Sequence, residues 1–226
     1  MQLGQQQQQD QPQDALLSCR GDSAQALVAI LAPLVLGKST LASVAVAVDG
    51  LTFTVEEGKA VQATARLERG LFQEYVATSQ DCFVVNVATL VECLRVFGPH
   101  ATASTVRIVW RGYGSDLLVT IHEGSMHTEC ALRTLESEEL LDFGFAQSVV
   151  QNKLLLNSDS LREAFNELDW DSPYVTILIS PLAPNFCVST NTATGSCQIE
   201  YARDSPLFDA FECVGEAQQH TYKLPL

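Results

Sequence analysis

The sequence is short of positive charge and contains no long apolar run. Its 226 residues carry 13 lysines and arginines against 27 aspartates and glutamates, which gives a formal net charge of −14. No apolar segment approaches the roughly 20 residues of a membrane-spanning helix, so the pattern favours a soluble protein. A strongly acidic chain is repelled by phosphate. Contact with nucleic acid would therefore require its few cations to gather on one surface.

Patterns for metal sites and disulfides are also missing. The seven cysteines are an odd number without C-x-x-C spacing or clustered histidines: Cys19, Cys82, Cys93, Cys130, Cys187, Cys197 and Cys213. Most lie in apolar segments, which favours buried thiols in a reducing compartment. Asp169 and Asp171 are interpreted as a loop cap, because a nuclease needs several gathered carboxylates. His122 and His127 flank a hairpin turn and have no further ligands nearby in sequence. No metal or other cofactor is predicted.

The sequence does contain the same order of elements twice: a short strand, an amphipathic helix and a series of alternating strands. In the first copy, a helix over 24–36 is predicted from apolar residues at helical spacing, Leu27, Ile30, Leu31 and Leu34. Asp22 is its expected N-cap, and Pro33 is expected to kink it or end its regular hydrogen bonding. A second helix is predicted over 88–97. Strands are predicted at 15–21, 41–48, 51–57, 60–68, 72–78, 82–87, 106–111, 117–123 and 127–135.

The second copy begins with a strand at 149–156 and a helix with an apolar stripe, Leu161, Ala164, Phe165 and Leu168. Ser160 and Glu163 are expected to form its capping box. Strands are predicted at 174–180, 186–190, 197–202, 208–214 and 222–226. No counterpart of the helix at 88–97 or of the three strands after it follows, so we expect a shortened second domain. The predicted fold class is α+β. The chain is divided into four parts: a glutamine-rich disordered tail (1–14), a first domain (15–135), a connector (136–146) and a second domain (147–226).

Four segments resemble a known family. They are 51–62 (LTFTVEEGKAVQ), 70–75 (GLFQEY), 90–98 (LVECLRVFG) and 161–168 (LREAFNEL). In order and spacing they are similar to the Rad-one (Rec-one) subunits of the nine-one-one DNA-damage checkpoint clamp, which are relatives of PCNA. The resemblance implies a PCNA-like DNA clamp of two tandem domains, with helices on the inner face, antiparallel sheets outside and an incomplete second domain.

The resemblance also implies a function. The chain would be a non-catalytic, nuclear subunit of a heterotrimeric ring that encircles double-stranded DNA without sequence preference and serves as a platform for repair and signalling proteins. Its partners would include the two other clamp subunits and a clamp loader. Two other functions stay open. A 3'-5' exodeoxyribonuclease would require a gathered carboxylate cluster, and a homotrimeric replicative clamp would require self-complementary edges.

In such a clamp the polar faces of the helices line the hole. The candidate DNA contacts are Lys38 after the first helix, Arg95 on the second and Arg162 on the third; the alternative for each is an ordinary solvated charge. The first helix has no cation opposite its apolar stripe, so its contact with DNA is not predicted. The alternative for that helix is burial on both sides or cover by a neighbour.

The resemblance further implies where partners bind. Rings of this kind join through edge strands, which places the junctions at 127–135 and 197–202. The side chains there are His127, Glu129, Cys130 and Leu132 on the first edge, and Cys197, Ile199 and Tyr201 on the second. In the family the connector borders a pocket for short partner peptides, and its apolar residues here are Leu140, Leu141, Phe143 and Phe145. The alternative for the connector residues is that they join the two domains.

Overall fold

The structure of the chain is a computed structural model that describes residues 15–58, 61–98, 104–137, 139–144 and 149–223. These residues form two compact units, which divide between 141 and 142. The division lies inside the predicted connector, while the predicted tail 1–14 lies outside the described residues. Within the described ranges, no helix is long and apolar enough to cross a membrane.

The first unit is built from two antiparallel sheets and two helices. Its helices are α1 (Ala24–Leu31) and α2 (Val87–Leu94). Its strands are β1 (Leu17–Gly21), β2 (Leu41–Ala47), β3 (Gly50–Glu57), β4 (Val61–Glu68), β5 (Glu74–Ala77), β6 (Asp81–Asn86), β7 (Thr105–Trp110), β8 (Leu117–Glu123) and β9 (Met126–Leu132). The strand orders are β5-β1-β7-β8-β9 and β4-β3-β2-β6.

The core of the first unit follows from alternation along the strands. On β7, Val106, Ile108 and Trp110 are buried, while Arg107 and Val109 on the opposite face are half-buried. The same period of two recurs on β8, because successive side chains of a strand point to opposite faces. The inward-facing residues of both sheets and the apolar faces of α1 and α2 form one continuous core. Each fully buried aliphatic side chain contributes about 1.5–3 kcal/mol to folding.

The ends of α1 are set by a serine and a proline. Ser23, in extended conformation, accepts a hydrogen bond at its Oγ from the Ala26 amide at 3.2 Å, so it is the N-cap. The prediction of Asp22 as the cap is therefore wrong by one residue. The helix ends at Leu31 and a 3-10 turn follows over Ala32–Leu34. The predicted effect of Pro33 is confirmed, because a residue without an N–H cannot continue the α-helical ladder.

The second unit repeats the order of elements. It contains β10 (Asn152–Leu156), α3 (Ser158–Asn166), β11 (Tyr174–Ile179), β12 (Phe186–Thr192), β13 (Gly195–Tyr201), β14 (Phe208–Cys213) and β15 (Gln218–Lys223). The strand orders are β13-β12-β11-β15 and β10-β14. Its core is small, with Leu168, Val175, Phe186 and Val188 as the buried members.

The N-cap of α3 is Asn157. Its Oδ1 accepts hydrogen bonds from the amides of Asp159 at 2.9 Å and Ser160 at 3.4 Å. The predicted capping box of Ser160 and Glu163 is wrong, because the helix begins two residues before Ser160. An asparagine in a polar run that follows a strand was the signal for this start.

The β2–β3 hairpin depends on Gly50 and Tyr75. Gly50 has a φ of +145°, and a Cβ at this position would lie 2.2 Å from the Leu67 carbonyl oxygen, so only glycine fits. Tyr75 on β5 donates its hydroxyl to the carbonyls of Ala47 at 2.6 Å and Gly50 at 2.9 Å. One phenol therefore satisfies carbonyls on both sides of the turn.

We predict that Tyr75→Phe lowers the free energy of unfolding of the first unit by about 1–3 kcal/mol, because it removes two hydrogen bonds that each contribute about 0.5–1.5 kcal/mol. Urea unfolding followed by Trp110 fluorescence in a Trp170→Phe background measures it. Tyr113→Phe is the matched control, since Tyr113 is 79% exposed, and it should change nothing.

The same variant has a defined pH dependence. Burial raises the pKa of Tyr75 from 10.0 to about 12, so the folded state favours the neutral phenol. A raised pKa contributes stability that is present below the unfolded value and is lost as the pH rises through the folded value. The stability gap between wild type and Tyr75→Phe should therefore narrow above pH 10. A constant gap from pH 7 to pH 11 would contradict a buried phenol.

Candidate functional site

The structure brings two of the three predicted cations together. Lys38, after the 3-10 turn, and Arg95, at the C-terminal end of α2, are both exposed and line one hollow of about 430 Å³. The Arg95 amide donates to the carbonyls of Val91 at 3.1 Å and Glu92 at 3.2 Å, which places this side chain at the last turn of the helix. Glu92 is also on the rim. The hollow is thus a small surface with two positive charges and one negative charge.

Arg162, the third predicted cation, lies in the second unit on the exposed side of α3. It forms an ion pair with Asp159, one turn earlier on the same helix. Both side chains are more than two-thirds exposed, and pairs of this kind contribute about 0–1 kcal/mol. The charge of Arg162 is therefore partly neutralised by its own helix, although little energy holds the pair together.

The outward face of α1 carries no cation, as the sequence predicts. Ala26, Ala29 and Pro33 on this face are exposed, so the described part of the chain does not bury α1 on both sides. Gln25 donates its Nε2 to the Gly98 carbonyl at 3.0 Å. This contact ties the start of α1 to the chain after α2.

Both predicted edge segments lie at sheet edges in the described part of the chain. β9 is the outermost strand of the five-stranded sheet, and β13 is the outermost strand of the four-stranded sheet in the second unit. β9 ends at Leu132, three residues before the predicted end, and Leu135 instead forms an isolated bridge with Val84. An outermost strand presents backbone N–H and C=O groups along one side, which can pair with another chain.

The side chains on β9 divide into two sets. His127 and Glu129 are exposed, whereas Leu132 is buried and Cys130 packs against the core. Burial and, secondarily, the neighbouring Cys130 thiol raise the pKa of Cys93 to about 12, so the α2–β9 contact is an uncharged one. A partner strand at this edge would contact the backbone and the side chains of His127 and Glu129, and not those of Cys130 and Leu132.

The β13 edge faces α3 across an open hollow. Cys197, Ile199 and Tyr201 are half-buried and line a hollow of about 830 Å³ together with Ser160, Glu163, Ala164, Glu167 and Leu207. The Cys197 thiol donates to the Glu167 carbonyl at 3.4 Å. Burial, and secondarily the nearby Glu163 carboxylate, raises the pKa of Tyr201. These three side chains therefore point toward the interior of the second unit.

The first part of the connector is fastened to the sheet of β4-β3-β2-β6 by Glu56. The Glu56 Oε1 accepts hydrogen bonds from the Leu141 amide at 2.8 Å and from Gln62 Nε2 at 2.7 Å. Gln62 also donates to the Leu141 carbonyl at 3.2 Å, and Ser43 and Ser137 hydroxyls lie 2.9 Å apart. We call the hydrogen bonds among Glu56, Gln62 and Leu141 the clasp. The sequence did not predict it. Its only signal was the pairing of Glu56 with Gln62 across the β3–β4 hairpin.

Beside the clasped connector lies a hollow of about 270 Å³. Its lining combines apolar side chains, Leu41, Val84, Leu135 and Leu140, with the carboxylates of Glu56, Glu136 and Glu139. Leu140 and Leu141 are 40% and 41% exposed. Of the other two connector residues, Phe143 is half-buried within the second unit, and Phe145 lies outside the described residues.

The remaining polar groups do not assemble a metal site in the part of the chain that the structure describes. Asp169 accepts hydrogen bonds from the Asp171 amide at 3.1 Å and the Thr192 hydroxyl at 3.2 Å, which confirms the loop cap. His122 and His127 stack at 5.8 Å between ring centroids. All seven cysteines are unbonded thiols. Cys82 is exposed, so the prediction of burial does not hold at that position.

Comparison with known proteins identifies relatives. The family model described as repair protein Rad1/Rec1/Rad17 matches residues 16–226. The cell cycle checkpoint protein RAD1 of Homo sapiens is 40% identical over 182 residues, which cover 79% of this chain and 64% of that protein. The DNA repair protein Rad1 of Drosophila melanogaster is 30% identical over 177 residues, which cover 75% and 63%. The chain thus spans just under two thirds of the length of these relatives.

Solved structures share the architecture. PCNA from Thermococcus kodakaraensis matches with a TM-score of 0.68 and 14% identity, over 92% of this chain and 81% of that one. The PCNA2-PCNA3 complex from Sulfolobus tokodaii gives a TM-score of 0.69 and 14% identity, over 92% and 80%. At this identity the likeness concerns the fold alone. The α+β, PCNA-like fold predicted from the sequence is confirmed.

The clasp generates a prediction. Glu56→Ala removes the acceptor of the Leu141 amide, and a hydrogen bond to a charged group contributes about 1.5–3 kcal/mol, so hydrogen exchange at Leu141 should accelerate roughly tenfold or more. Exchange measured by mass spectrometry on peptides that contain the connector tests this expectation. Glu57→Ala is the control, because Glu57 is exposed and its substitution removes the same charge. Equal exchange in both variants would show that the clasp does not hold the connector.

Proposed function

The chain belongs to the Rad1 family of repair and checkpoint proteins, and from this premise we propose that it is a non-catalytic subunit of a heterotrimeric checkpoint clamp that encircles DNA. It acts in the nucleus as a platform for repair and signalling proteins. Its partners are the two other clamp subunits, a clamp loader and double-stranded DNA without sequence preference. The observation that carries the proposal is the outermost position of β9 and β13 in their sheets, because each offers an unsatisfied backbone edge to a neighbouring subunit.

Subunit contact through β9 depends on backbone hydrogen bonds. Edge-to-edge strand addition supplies affinity through main-chain pairs and specificity through alternate side chains, here His127 and Glu129. At the other edge the corresponding side chains are Cys197, Ile199 and Tyr201, whose inward direction leaves the backbone of β13 as the principal contact. Two unlike edges on each subunit allow a ring to close head to tail, whether its subunits are identical or different.

Co-expression with the two other clamp subunits, followed by sizing, tests the assembly. We expect Glu129→Pro to reduce co-purification severalfold, because Glu129 is in a non-hydrogen-bonded pair with Thr120, so its amide faces the open edge and proline removes that donor. Ala77→Pro, which removes an edge-facing amide of β5 on the opposite side of the same sheet, is the control and should assemble as wild type. Trp110 fluorescence reports that each variant retains its fold.

Two results would contradict this assembly. Unchanged co-purification of a folded Glu129→Pro variant would remove β9 as the junction. A homotrimer of the chain alone, seen by light scattering, would favour a self-assembling replicative clamp instead.

Contact with DNA depends on Lys38 and Arg95. In an acidic chain, two exposed cations on one hollow provide the local positive potential that phosphates need. Arg162 contributes less, since Asp159 competes for its guanidinium. The contacts are directed at phosphate, so they carry no sequence information.

We predict that the double variant Lys38→Gln, Arg95→Gln weakens retention of the assembled clamp on duplex DNA. Each lost phosphate contact reduces the slope of log affinity against log salt by about 0.9, so the slope should become shallower by about 2. Retention at several salt concentrations, on two unrelated duplex sequences, measures this change. The control is Arg69→Gln, Lys153→Gln, which removes the same charge at other exposed positions. Equal slopes in both double variants would exclude this surface from DNA binding.

The connector hollow is proposed to hold short peptides of repair and signalling proteins. Its apolar floor of Leu41, Val84, Leu135 and Leu140 can bury one or two apolar side chains of such a peptide. The carboxylates on its rim would repel an acidic peptide. Leu141 beside the hollow is exposed, while Phe143 and Phe145 stay predictions for partner contact.

A further inference from the structure

The outward face of the five-stranded sheet carries cations that the proposed DNA contacts do not use. One row of side chains crosses all five strands in register: Glu74, Arg20, Arg107, Thr120 and Glu129. Arg20 forms an ion pair with Glu74 at 3.7 Å. Arg107 has a second arginine opposite it on β1 and a threonine opposite it on β8. Neither neighbouring strand of the described sheet offers it a carboxylate in the same row.

The pairing of Arg20 with Arg107 works against folding. Like charges directly opposite each other on neighbouring strands destabilise a sheet. The chain has only 13 cations and a net charge of −14, so it has ample carboxylates with which such positions could have been paired. An anion bound next to Arg107 would offset the repulsion. The arrangement is therefore typical of a binding surface more than of a solvated one.

The face is concave beside Arg107. A hollow of about 190 Å³ is lined by Arg107, Val109, Arg111, Leu118, Thr120, His122 and Glu129. Val109 and Leu118 lie opposite each other on β7 and β8 and form an apolar patch. Two guanidinium groups, a hydroxyl and an imidazole surround that patch. Since a water molecule occupies about 30 Å³ in the liquid, the hollow has room for individual side chains and not for a folded element.

The donors fit a phosphate group better than a carboxylate. A phosphorylated side chain has a charge of about −1.5 to −2 and three strong acceptor oxygens, and arginine pairs with phosphate through two parallel hydrogen bonds. Glu129 on the rim repels any anion. A singly charged carboxylate with two oxygens has less to gain from the arginines against that repulsion than a phosphate has.

We propose that this hollow binds a phosphorylated side chain on an acidic peptide segment of a partner protein. Arg107 and Arg111 hold the phosphate oxygens, Thr120 donates its hydroxyl, and Val109 and Leu118 pack against an apolar residue next to the phosphorylated one. The site lies on β7 and β8 with Glu129 of β9 at its rim, and it shares no lining residue with the Lys38 and Arg95 hollow or with the connector hollow. Its occupation does not require ring assembly.

Fluorescence anisotropy with the full 226-residue chain tests the proposal. The probe is a labelled peptide with one phosphoserine next to a leucine among glutamates, and its unphosphorylated twin is the reference. We expect the phosphopeptide to bind at least tenfold more tightly. Arg107→Gln should weaken its binding about tenfold or more, the range that hydrogen bonds to charged groups give. Arg107→Lys keeps the charge without the paired donors, so its affinity for the phosphopeptide should lie between those of wild type and Arg107→Gln.

Lys153→Gln, which removes one charge from an exposed position on β10, is the control and should bind as wild type. Thr120→Val removes one donor from the hollow with little change of volume and serves if Arg107→Gln does not fold. Equal affinity for both peptides would overturn the proposal, as would unchanged phosphopeptide affinity in folded Arg107→Gln. Weaker duplex DNA binding by Arg107→Gln without a phosphopeptide effect would also overturn it and assign the face to nucleic acid. Because the assay uses the chain alone, failed ring assembly does not affect its outcome.

Discussion

Unsatisfied backbone at the edges of open sheets is the constraint on which the rest of this structure depends. Each unit consists of antiparallel sheets that do not close on themselves, so every sheet has outer strands with polar groups on one side. The chain covers one such edge itself, where Leu135 bridges to Val84 on β6. The β9 and β13 edges carry no such cover among the described residues. The backbone N–H and C=O groups of these edges can form hydrogen bonds with a strand of a neighbouring chain instead of with water.

Scarcity of cations is the second constraint, and it explains why small groups of arginine and lysine matter here. In a chain with twice as many acidic as basic residues, any surface with two cations differs from its surroundings. The α1–α2 side has one such surface, and the outward face of the five-stranded sheet has another. They differ in size: the first hollow has a volume of about 430 Å³ and the second about 190 Å³. The two sizes suit the different anions proposed for them, the backbone of a duplex in the first case and a single phosphate group in the second.

Much of the fold follows from the sequence, because periodicity reports burial directly. The helices and strands of both copies appear where alternation and helical spacing predict them, with ends shifted by a few residues. Ends are harder, since capping depends on which of two adjacent polar residues turns its side chain inward, as Ser23 does instead of Asp22. The clasp by Glu56 was beyond prediction, because it joins residues 85 positions apart and no local pattern marks such a pair. The ion pair of Arg162 with Asp159 differs, because residues three apart on a helix are neighbours and their spacing in the sequence already indicates the pair.

The hollow with Lys38, Arg95 and the opposing Glu92 has a consequence for residence time. Two phosphate contacts give a slope of log affinity against log salt of about 2, so a fourfold rise in salt concentration weakens the affinity only about tenfold. So shallow a dependence corresponds to few phosphate contacts. Two such contacts alone would hold the subunit on DNA only weakly. In the proposed ring the subunit would stay because the duplex passes through the ring, and it would dissociate only when the ring opens or reaches an end of the DNA. The two cations would then let the ring slide along the duplex.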